Sequence, residues 1–202
     1  MLSPFSWCVV TSEGRQDGHP SLHDYILGVA AVNYAYAQRH GYGFRFARPS
    51  ENRCPHPRLG RRAAAWCKVP VVADVILNGL DGRRCESVLY VDSDAMISNP
   101  SLSIDEWLAR ARRRGDDALR ADGEWLLLLS SDYWFSPDEP NTGVWLGRAG
   151  ESAGRRVCGI LRRWWDARFP TNNMNRPWEQ AAMRAMCVVA AARGSLTTAD
   201  GR

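Results

Sequence analysis

The sequence is poor in histidine, and its apolar runs are short. All four histidines lie in the first third of the 202-residue chain: His19, His23, His40 and His56. The longest apolar stretches, 125–129 and 185–192, fall far short of the about 20 residues that a membrane-spanning helix needs. The first residues lack the basic region and the long apolar segment of a signal peptide. We therefore expect neither a signal peptide nor a membrane anchor in this chain.

Cysteine pairs at zinc-binding spacing are also missing. None of the six cysteines forms a C-x-x-C pair, and Cys54 with His56 has no second pair after it, which argues against structural zinc. Their even number permits disulfides without requiring them. The net charge is only +4, and the arginines are scattered rather than gathered into a dense basic face. We expect no nucleic-acid partner, because such proteins usually carry a basic face.

What is present suits a globular protein. With 45% hydrophobic residues, the chain has enough apolar material for a core. Short apolar runs alternate with helical stripes from start to end, which predicts an α/β fold with a largely parallel sheet flanked by helices. No linker divides the chain, so we expect one domain over residues 1–190 and a frayed polar tail over 191–202.

Individual segments predict elements of that fold. A helix is expected over 61–79, with Pro70 in its first turns or at a kink. Two continuous apolar runs, 88–91 and 125–129, are typical of strands buried on both faces. Residues 137–140 predict a turn, and 141–148 a further strand.

Two aspartates, Asp92 and Asp94, follow the first of these runs, with Ser93 between them. In an open α/β sheet, ligands bind outside the carboxyl ends of the strands, and residues two apart point the same way. Two such carboxylates repel unless a cation lies between them or one is protonated. Mn²⁺ or Mg²⁺ suits oxygen ligands and also binds phosphate, so the spacing predicts a metal that bridges protein and phosphate. The alternative is a turn in which one aspartate caps the following backbone.

Four segments, in order, resemble the nucleotide-sugar glycosyltransferases of the GT-A fold. They are NYAYAQRHGYGFRF (33–46), AWCKVPVVADVIL (65–77), LYVDSDAMI (89–97) and NTGVWLGR (141–148), followed by WEQAAM (178–183). The set is most similar to the galactosyl/mannosyl/xylosyl-transferase (GMA12/MNN10-like) family, and more loosely to glycogenin-like transferases. The resemblance covers most of residues 7–186 and implies a GT-A fold. The chain is short for that fold, which leaves open a truncation at its C-terminus.

The resemblance also implies a reaction. A hexose or pentose would pass from a UDP- or GDP-sugar to a hydroxyl of a glycan or glycoprotein, with Mn²⁺ (or Mg²⁺) held by Asp92 and Asp94. The family retains the anomeric configuration and works in the Golgi lumen or secretory pathway. Enzymes of this fold commonly add a metal-binding histidine beyond the last helix. No histidine follows His56 here, so this third protein ligand is expected to be missing or replaced by water or a glutamate.

Matching positions give the expected site residues. The donor-binding candidates lie in the first strand, the second segment and the segments around the aspartates: Thr11, Ser12, Lys68, Ser93, Asn141 and Gly143. The catalytic candidates follow later in the chain: Asp132, Glu179 and Gln180.

Several of these residues have plainer interpretations. Lys68 could be a surface lysine, and Asn141 could serve only the turn after Pro140. Glu179 could be an acid favoured in the first turn of a helix, and His40 is better explained by a structural role near a helix end.

A second hypothesis therefore stands beside the enzyme. The chain could be a catalytically inactive GT-A-like protein that binds sugar nucleotide or glycan, or that supports a partner transferase subunit.

Overall fold

The computed structural model describes residues 2–14, 20–48, 54–114, 125–132, 136–168 and 179–192. In chain order its elements are β1 (Phe5–Ser12), α1 (Pro20–Arg39), β2 (Gly43–Ala47), β3 (Cys54–His56), β4 (Gly60–Arg62), the 3₁₀ helix η1 (Ala64–Cys67), α2 (Lys68–Asn78), β5 (Cys85–Val91), α3 (Ile104–Arg113), β6 (Leu127–Asp132), β7 (Ser136–Arg148), α4 (Glu151–Trp165) and α5 (Glu179–Ala192). Residues 193–202, most of the expected tail, lie outside the described residues.

Five of the strands form one sheet in the order β2-β1-β5-β7-β6. Strand β1 is parallel to both β2 and β5, whereas β7 is antiparallel to β5 and to β6. Strand β6 therefore runs in the direction of β1, β2 and β5, and β7 alone in this sheet is reversed. The predicted α/β fold with a mostly parallel central sheet is confirmed, with an antiparallel hairpin at one side.

The sheet lies between two apolar layers because successive strand residues point to opposite faces. On one face Val10 and Tyr90 belong to a core cluster with α2, α4 and α5. On the other face Val9 and Val91 pack in a second cluster with the C-terminal part of α1 and with α3. Helices therefore cover both faces, as expected for a sheet whose central strands are continuous apolar runs.

Helix boundaries follow local chemistry. Helix α3 begins with a capping box, in which the Ser103 hydroxyl accepts from the Glu106 amide and the Glu106 side chain accepts from the Ser103 amide. After α1, Gly41 has a φ of 68°, a conformation that glycine adopts without strain.

The segment predicted as one helix over 61–79 is divided in the structure. It contains the end of β4, then η1, and α2 begins only at Lys68. Pro70 thus lies in the first turn of α2, where its missing N–H has no helical partner to lose.

The second apolar run is not a strand buried on both faces. Strand β6 is at the edge of the sheet among the described strands, and Leu127, Leu128 and Leu129 are only partly buried. The expected turn over 137–140 is part of β7 instead. This part of β7 extends beyond the end of β5, so it pairs with β6 on one side only. A proline, which has no N–H to donate, is tolerated where one side of a strand is unpaired.

The structure contains two disulfides, Cys8–Cys85 and Cys54–Cys67. The first joins neighbouring strands β1 and β5, and the second ties β3 to the residue that precedes α2. Among the described residues, no helix combines the length and hydropathy that crossing a membrane requires.

Trp164 of α4 should carry much of the stability on the α4 face of the sheet. It is fully buried, contacts the rings of Trp66 and Trp145, and donates through Nε1 to the Glu179 carbonyl at 2.8 Å. We expect Trp164→Phe to lower the free energy of unfolding by about 1–3 kcal/mol in urea titrations, through lost volume and a lost hydrogen bond. Trp107→Phe, at a half-exposed position, is the control and should cost less than about 0.5 kcal/mol. Equal losses would contradict the assignment.

Candidate functional site

Polar residues from three neighbouring strands meet at the end of the sheet where β1 and β5 have their carboxyl ends. Strands β1 and β5 end there, at Ser12 and Val91. Strand β7 runs the opposite way, and Val144 pairs with Val91, so the residues just before Val144 lie beyond the end of β5. The backbone bond from the Asp92 N–H to the Gly143 carbonyl, at 2.7 Å, fixes this contact. The antiparallel strand thus brings residues 141–143 to the place where α/β sheets bind ligands.

Asp92 and Asp94 lie in a turn rather than in the strand. Strand β5 ends at Val91, and the Ala95 N–H donates to the Asp92 carbonyl at 3.0 Å, which closes a turn over residues 92–95. We call this the D-x-D turn. The expectation that both carboxylates share one face of a strand is therefore wrong, because the strand is already over. Ser93 is buried and Asp94 is exposed.

Lys68 occupies the centre of the site. Its Nζ lies 3.0 Å from Asp92 Oδ1, 3.1 Å from Glu179 Oε1 and 3.0 Å from the Thr142 carbonyl. The three acceptors match the three N–H donors of the ammonium group. The side chain is only 2% exposed, so the interpretation as a surface lysine is wrong. We call Lys68, Asp92, Thr142 and Glu179 the lysine cluster.

Further hydrogen bonds extend the lysine cluster to β1. The Tyr90 hydroxyl donates to Asp92 Oδ1 at 2.9 Å, and the Thr142 hydroxyl donates to Glu179 Oε1 at 3.1 Å. Ser12 Oγ lies 3.1 Å from the Tyr90 oxygen and donates to it, because the Tyr90 hydrogen is used on Asp92. One polar network therefore connects β1, β5 and β7 with the first residues of α2 and α5.

The charges of the lysine cluster do not balance, since one ammonium faces two carboxylates. Burial raises the pKa of Asp92, while Lys68 and the Tyr90 hydroxyl act against that rise. Burial and the Asp92 charge together raise the pKa of Tyr90 well above its usual range, so the phenol stays protonated and remains a donor. A bound cation or the protonation of one carboxylate would relieve the excess of negative charge.

The residues present fit a divalent cation that binds oxygen. Within the described residues, the Asp92 carboxylate makes its hydrogen bond and its ion pair through Oδ1, so Oδ2 is available on the Gly143 side. No group of three or more His, Cys, Asp or Glu side chains in the described part of the chain forms a complete metal shell. Asp92 and Asp94 would need water or substrate oxygens to complete it.

Gly143 permits the close approach of Asp92. A Cβ at this position would lie 2.8 Å from Asp92 Oδ2 and 3.0 Å from Asn141 Oδ1. Asn141 Oδ1 accepts from the Gly143 N–H at 2.7 Å, so Asn141 makes the local turn contact that was its plainer interpretation.

The end of β1 contributes buried polar groups. Thr11 is 1% exposed, and its hydroxyl has no hydrogen-bond partner among the described residues. Glu13, one residue past β1, is buried, and its Oε2 accepts from the Ser93 hydroxyl at 2.8 Å. Glu13 was not among the residues predicted from the sequence, which ended at Ser12 in this strand.

Two catalytic candidates lie at the margin of the site. Gln180 is the second residue of α5, next to Glu179. Asp132 ends β6, and its backbone pairs with Ser136 of β7. The Asp132 side chain lies outside the described residues.

Tyr90 and Thr142 are further members of the site that the sequence analysis missed. A stronger signal for the site was also overlooked, because Lys68 is the only lysine among the 26 Lys and Arg residues. A compact ammonium donates to three acceptors around one nitrogen, which a planar guanidinium cannot do.

Comparisons with known proteins agree on a glycosyltransferase. A family model described as the galactosyl transferase GMA12/MNN10 family matches residues 7–121. An uncharacterised α-1,2-galactosyltransferase of Schizosaccharomyces pombe is 29% identical over 109 residues, which are 54% of this chain and 28% of that protein. The chain thus spans little more than a quarter of this relative.

A solved structure shares the fold. It is a glycosyltransferase involved in the glycosylation of the major capsid of PBCV-1, and it superposes with a TM-score of 0.58 at 16% identity. The superposition covers 88% of this chain and 73% of that one.

Removing the buried ammonium should destabilise the protein. We expect Lys68→Met to lower the free energy of unfolding by about 2–3 kcal/mol, because the buried Glu179 carboxylate and the partly buried Asp92 carboxylate then lack their cation. Adding Asp92→Asn should recover part of this loss. Arg45→Met, which removes a half-exposed cation from its pair with Asp74, is the control and should cost about 1 kcal/mol or less. A loss for Lys68→Met no larger than the control would contradict this account.

A methyl group at Gly143 should disturb Asp92. We expect Gly143→Ala to cost about 1–3 kcal/mol of unfolding free energy, because the new Cβ must displace two side-chain oxygens. Gly147→Ala in the same strand is the matched control, since its Cβ would meet neighbours at 3.4 Å or more. Asp92→Ala should restore part of the stability of Gly143→Ala in a double-mutant cycle. Additive losses would show that the Asp92 contact is not the cause.

Proposed function

The chain belongs to the galactosyl transferase GMA12/MNN10 family, and we propose on that basis that it transfers a sugar from a nucleoside-diphosphate donor to an acceptor hydroxyl. The observation that carries the proposal is the lysine cluster. One buried ammonium connects an aspartate of the D-x-D turn to a glutamate at the start of α5, at the carboxyl edge of the sheet. A family match together with such a charged, buried arrangement supports a reaction site over a merely structural one.

In this proposal Asp92 and Asp94 hold Mn²⁺ or Mg²⁺ together with phosphate oxygens of the donor. The bound ion would act as a Lewis acid for the charge that develops on the leaving diphosphate. Lys68 and Tyr90 orient Asp92 by occupying Oδ1, which leaves Oδ2 for the ion. Because Gly143 has no Cβ, no side chain from this position covers Oδ2.

Glu179 is the carboxylate proposed to act on the donor sugar. Lys68 and the Thr142 hydroxyl both donate to its Oε1, which fixes the side chain at the first turn of α5. A fixed carboxylate near the anomeric carbon stabilises the positive charge that develops on the sugar as its bond to phosphate breaks. Gln180 and Asp132 remain further candidates for contact with the sugar, and retention of configuration is part of the proposal.

The sequence predicted that Lys68 binds the donor directly, whereas the role we propose for it is indirect. With its hydrogens directed at Asp92, Glu179 and Thr142, it acts on the donor through the two carboxylates rather than by binding phosphate itself.

The rest of the donor site is proposed from position. Thr11 and Ser12 end β1 beside the network, Ser93 lies within the D-x-D turn, and Asn141 lies across from it on β7. The donor is a UDP- or GDP-sugar, and the name of the Schizosaccharomyces pombe relative favours galactose. The acceptor is a glycan or glycoprotein of the secretory pathway, and a partner transferase subunit belongs to the proposal.

A screen of UDP- and GDP-sugars for Mn²⁺-dependent hydrolysis and transfer tests this function. We expect turnover with at least one donor, and a loss of at least about 100-fold in Asp92→Asn combined with Asp94→Asn, beyond what outer-shell contacts to a metal usually cost. Asp81→Asn removes a carboxylate at an exposed turn, where asparagine tolerates the positive φ, and should keep full activity.

The same screen separates the enzyme from the inactive binding protein. If the chain is the inactive binding protein, the screen finds no donor that is turned over. Calorimetry with UDP and GDP, with and without Mn²⁺, would still show metal-dependent binding that the double aspartate variant loses. Absence of both turnover and binding would overturn the site as well as the activity.

A further inference from the structure

One face of α1 makes hydrogen bonds to the backbone that follows the first aspartate. The Tyr25 hydroxyl donates to the Asp94 carbonyl at 3.1 Å, and the Tyr36 hydroxyl donates to the Leu102 carbonyl at 3.0 Å. His40 Nε2 donates to the Pro100 carbonyl at 3.0 Å. These side chains, some of them in the 33–46 segment, therefore hydrogen-bond to the loop over residues 94–103. We call it the post-turn loop.

Asn33 makes the most closely fitted of these contacts. Its side chain is fully buried, Nδ2 donates to the Ala95 carbonyl at 3.0 Å, and Oδ1 accepts from the Ile97 N–H at 3.0 Å. A buried amide that uses both its ends on one stretch of backbone fixes that stretch in one arrangement. Asn33 thus fixes the chain immediately after Asp94.

The D-x-D turn is also fixed from the side of β1. The buried Glu13 accepts from the Ser93 hydroxyl at 2.8 Å, and the Asp92 carboxylate is bonded by Lys68 and Tyr90. Ser93 points into the protein, while Asp94 is exposed. The contacts from Tyr25 and Asn33 act on the Asp94 side of the turn, where the backbone would otherwise continue directly into a surface loop.

We propose that Asn33 and Tyr25 are positioning residues that set the orientation of Asp94 for the metal and donor diphosphate. The inference rests on the proposed function, since it concerns the aspartate that is to hold the metal. It explains why an asparagine and a tyrosine on a helix outside the lysine cluster face the backbone of the D-x-D turn. A side chain held at its backbone loses less freedom when the ion binds, so its affinity for the ion is higher.

The test compares three single substitutions along α1. Tyr25→Phe removes one hydroxyl at a half-exposed position and should leave folding intact. Asn33→Ala removes both amide contacts. Tyr36→Phe is the matched control, because it removes a hydroxyl from the same helix that bonds the same loop at Leu102, far along the chain from Asp94.

Two readouts are needed for each variant. Mn²⁺ affinity is measured by electron paramagnetic resonance of free Mn²⁺ with UDP or GDP present. Hydrogen exchange of the Ile97 amide is measured in metal-free protein. We expect the Mn²⁺ dissociation constant to rise about threefold in Tyr25→Phe and about tenfold or more in Asn33→Ala, and Ile97 exchange to accelerate in the latter. Tyr36→Phe should lower the melting temperature but keep Mn²⁺ affinity within about twofold.

The outcomes separate this inference from the proposed function. If the wild-type protein binds Mn²⁺ and both Tyr25→Phe and Asn33→Ala bind it equally well, the positioning role is overturned while the metal site stands. If Tyr36→Phe weakens Mn²⁺ binding as much as they do, the effect is general loosening and the inference fails. If Asn33→Ala does not fold, Tyr25→Phe decides. A wild-type protein that binds no Mn²⁺ with either nucleotide overturns the metal site and the inference with it.

Discussion

The ammonium of Lys68 is the interaction on which the site depends. It lies buried at about 3 Å from Asp92, Glu179 and the Thr142 carbonyl, so elements distant in the sequence converge on one atom. Without it the buried Glu179 carboxylate would lie beside Asp92 with no cation, and an unpaired buried charge is costly. Lys68 is the first residue of α2, and Pro70 lies in the same first turn, where its missing N–H costs no helical hydrogen bond.

The reversed strand β7 gives the site its other half. In a wholly parallel sheet, the edge beyond β5 would hold only strand ends, but β7 enters from the opposite direction and brings residues 141–143 beside Asp92. Gly143 then matters for the space it leaves, since any Cβ would meet the aspartate. At the start of α5 the Trp164 Nε1 donates to the Glu179 carbonyl, and the Glu179 side chain contacts the same cluster.

Hydrogen bonds and ion pairs join the strand ends to the helices around the site. The network of Ser12, Tyr90, Asp92, Lys68 and Glu179 joins the carboxyl ends of β1 and β5 to the first residues of α2 and α5. Helix α1 adds a second set of contacts on the opposite face, through Asn33 and Tyr25 to the D-x-D turn. The turn is therefore held between β1 and α1, and Asp94 lies at its exposed side.

The sequence by itself determined the α/β class, the position of the aspartates after a buried strand and the family, because hydrophobic period and ordered motifs are local signals. It did not determine that the aspartates lie in a turn, that Lys68 is buried, that the Leu-rich run is an edge strand, or that Glu13, Tyr90 and Thr142 join the site. Those depend on which strand lies beside which, and on the direction of β7. Only tertiary structure decides such contacts, because they join residues as far apart in the chain as Lys68 and Glu179.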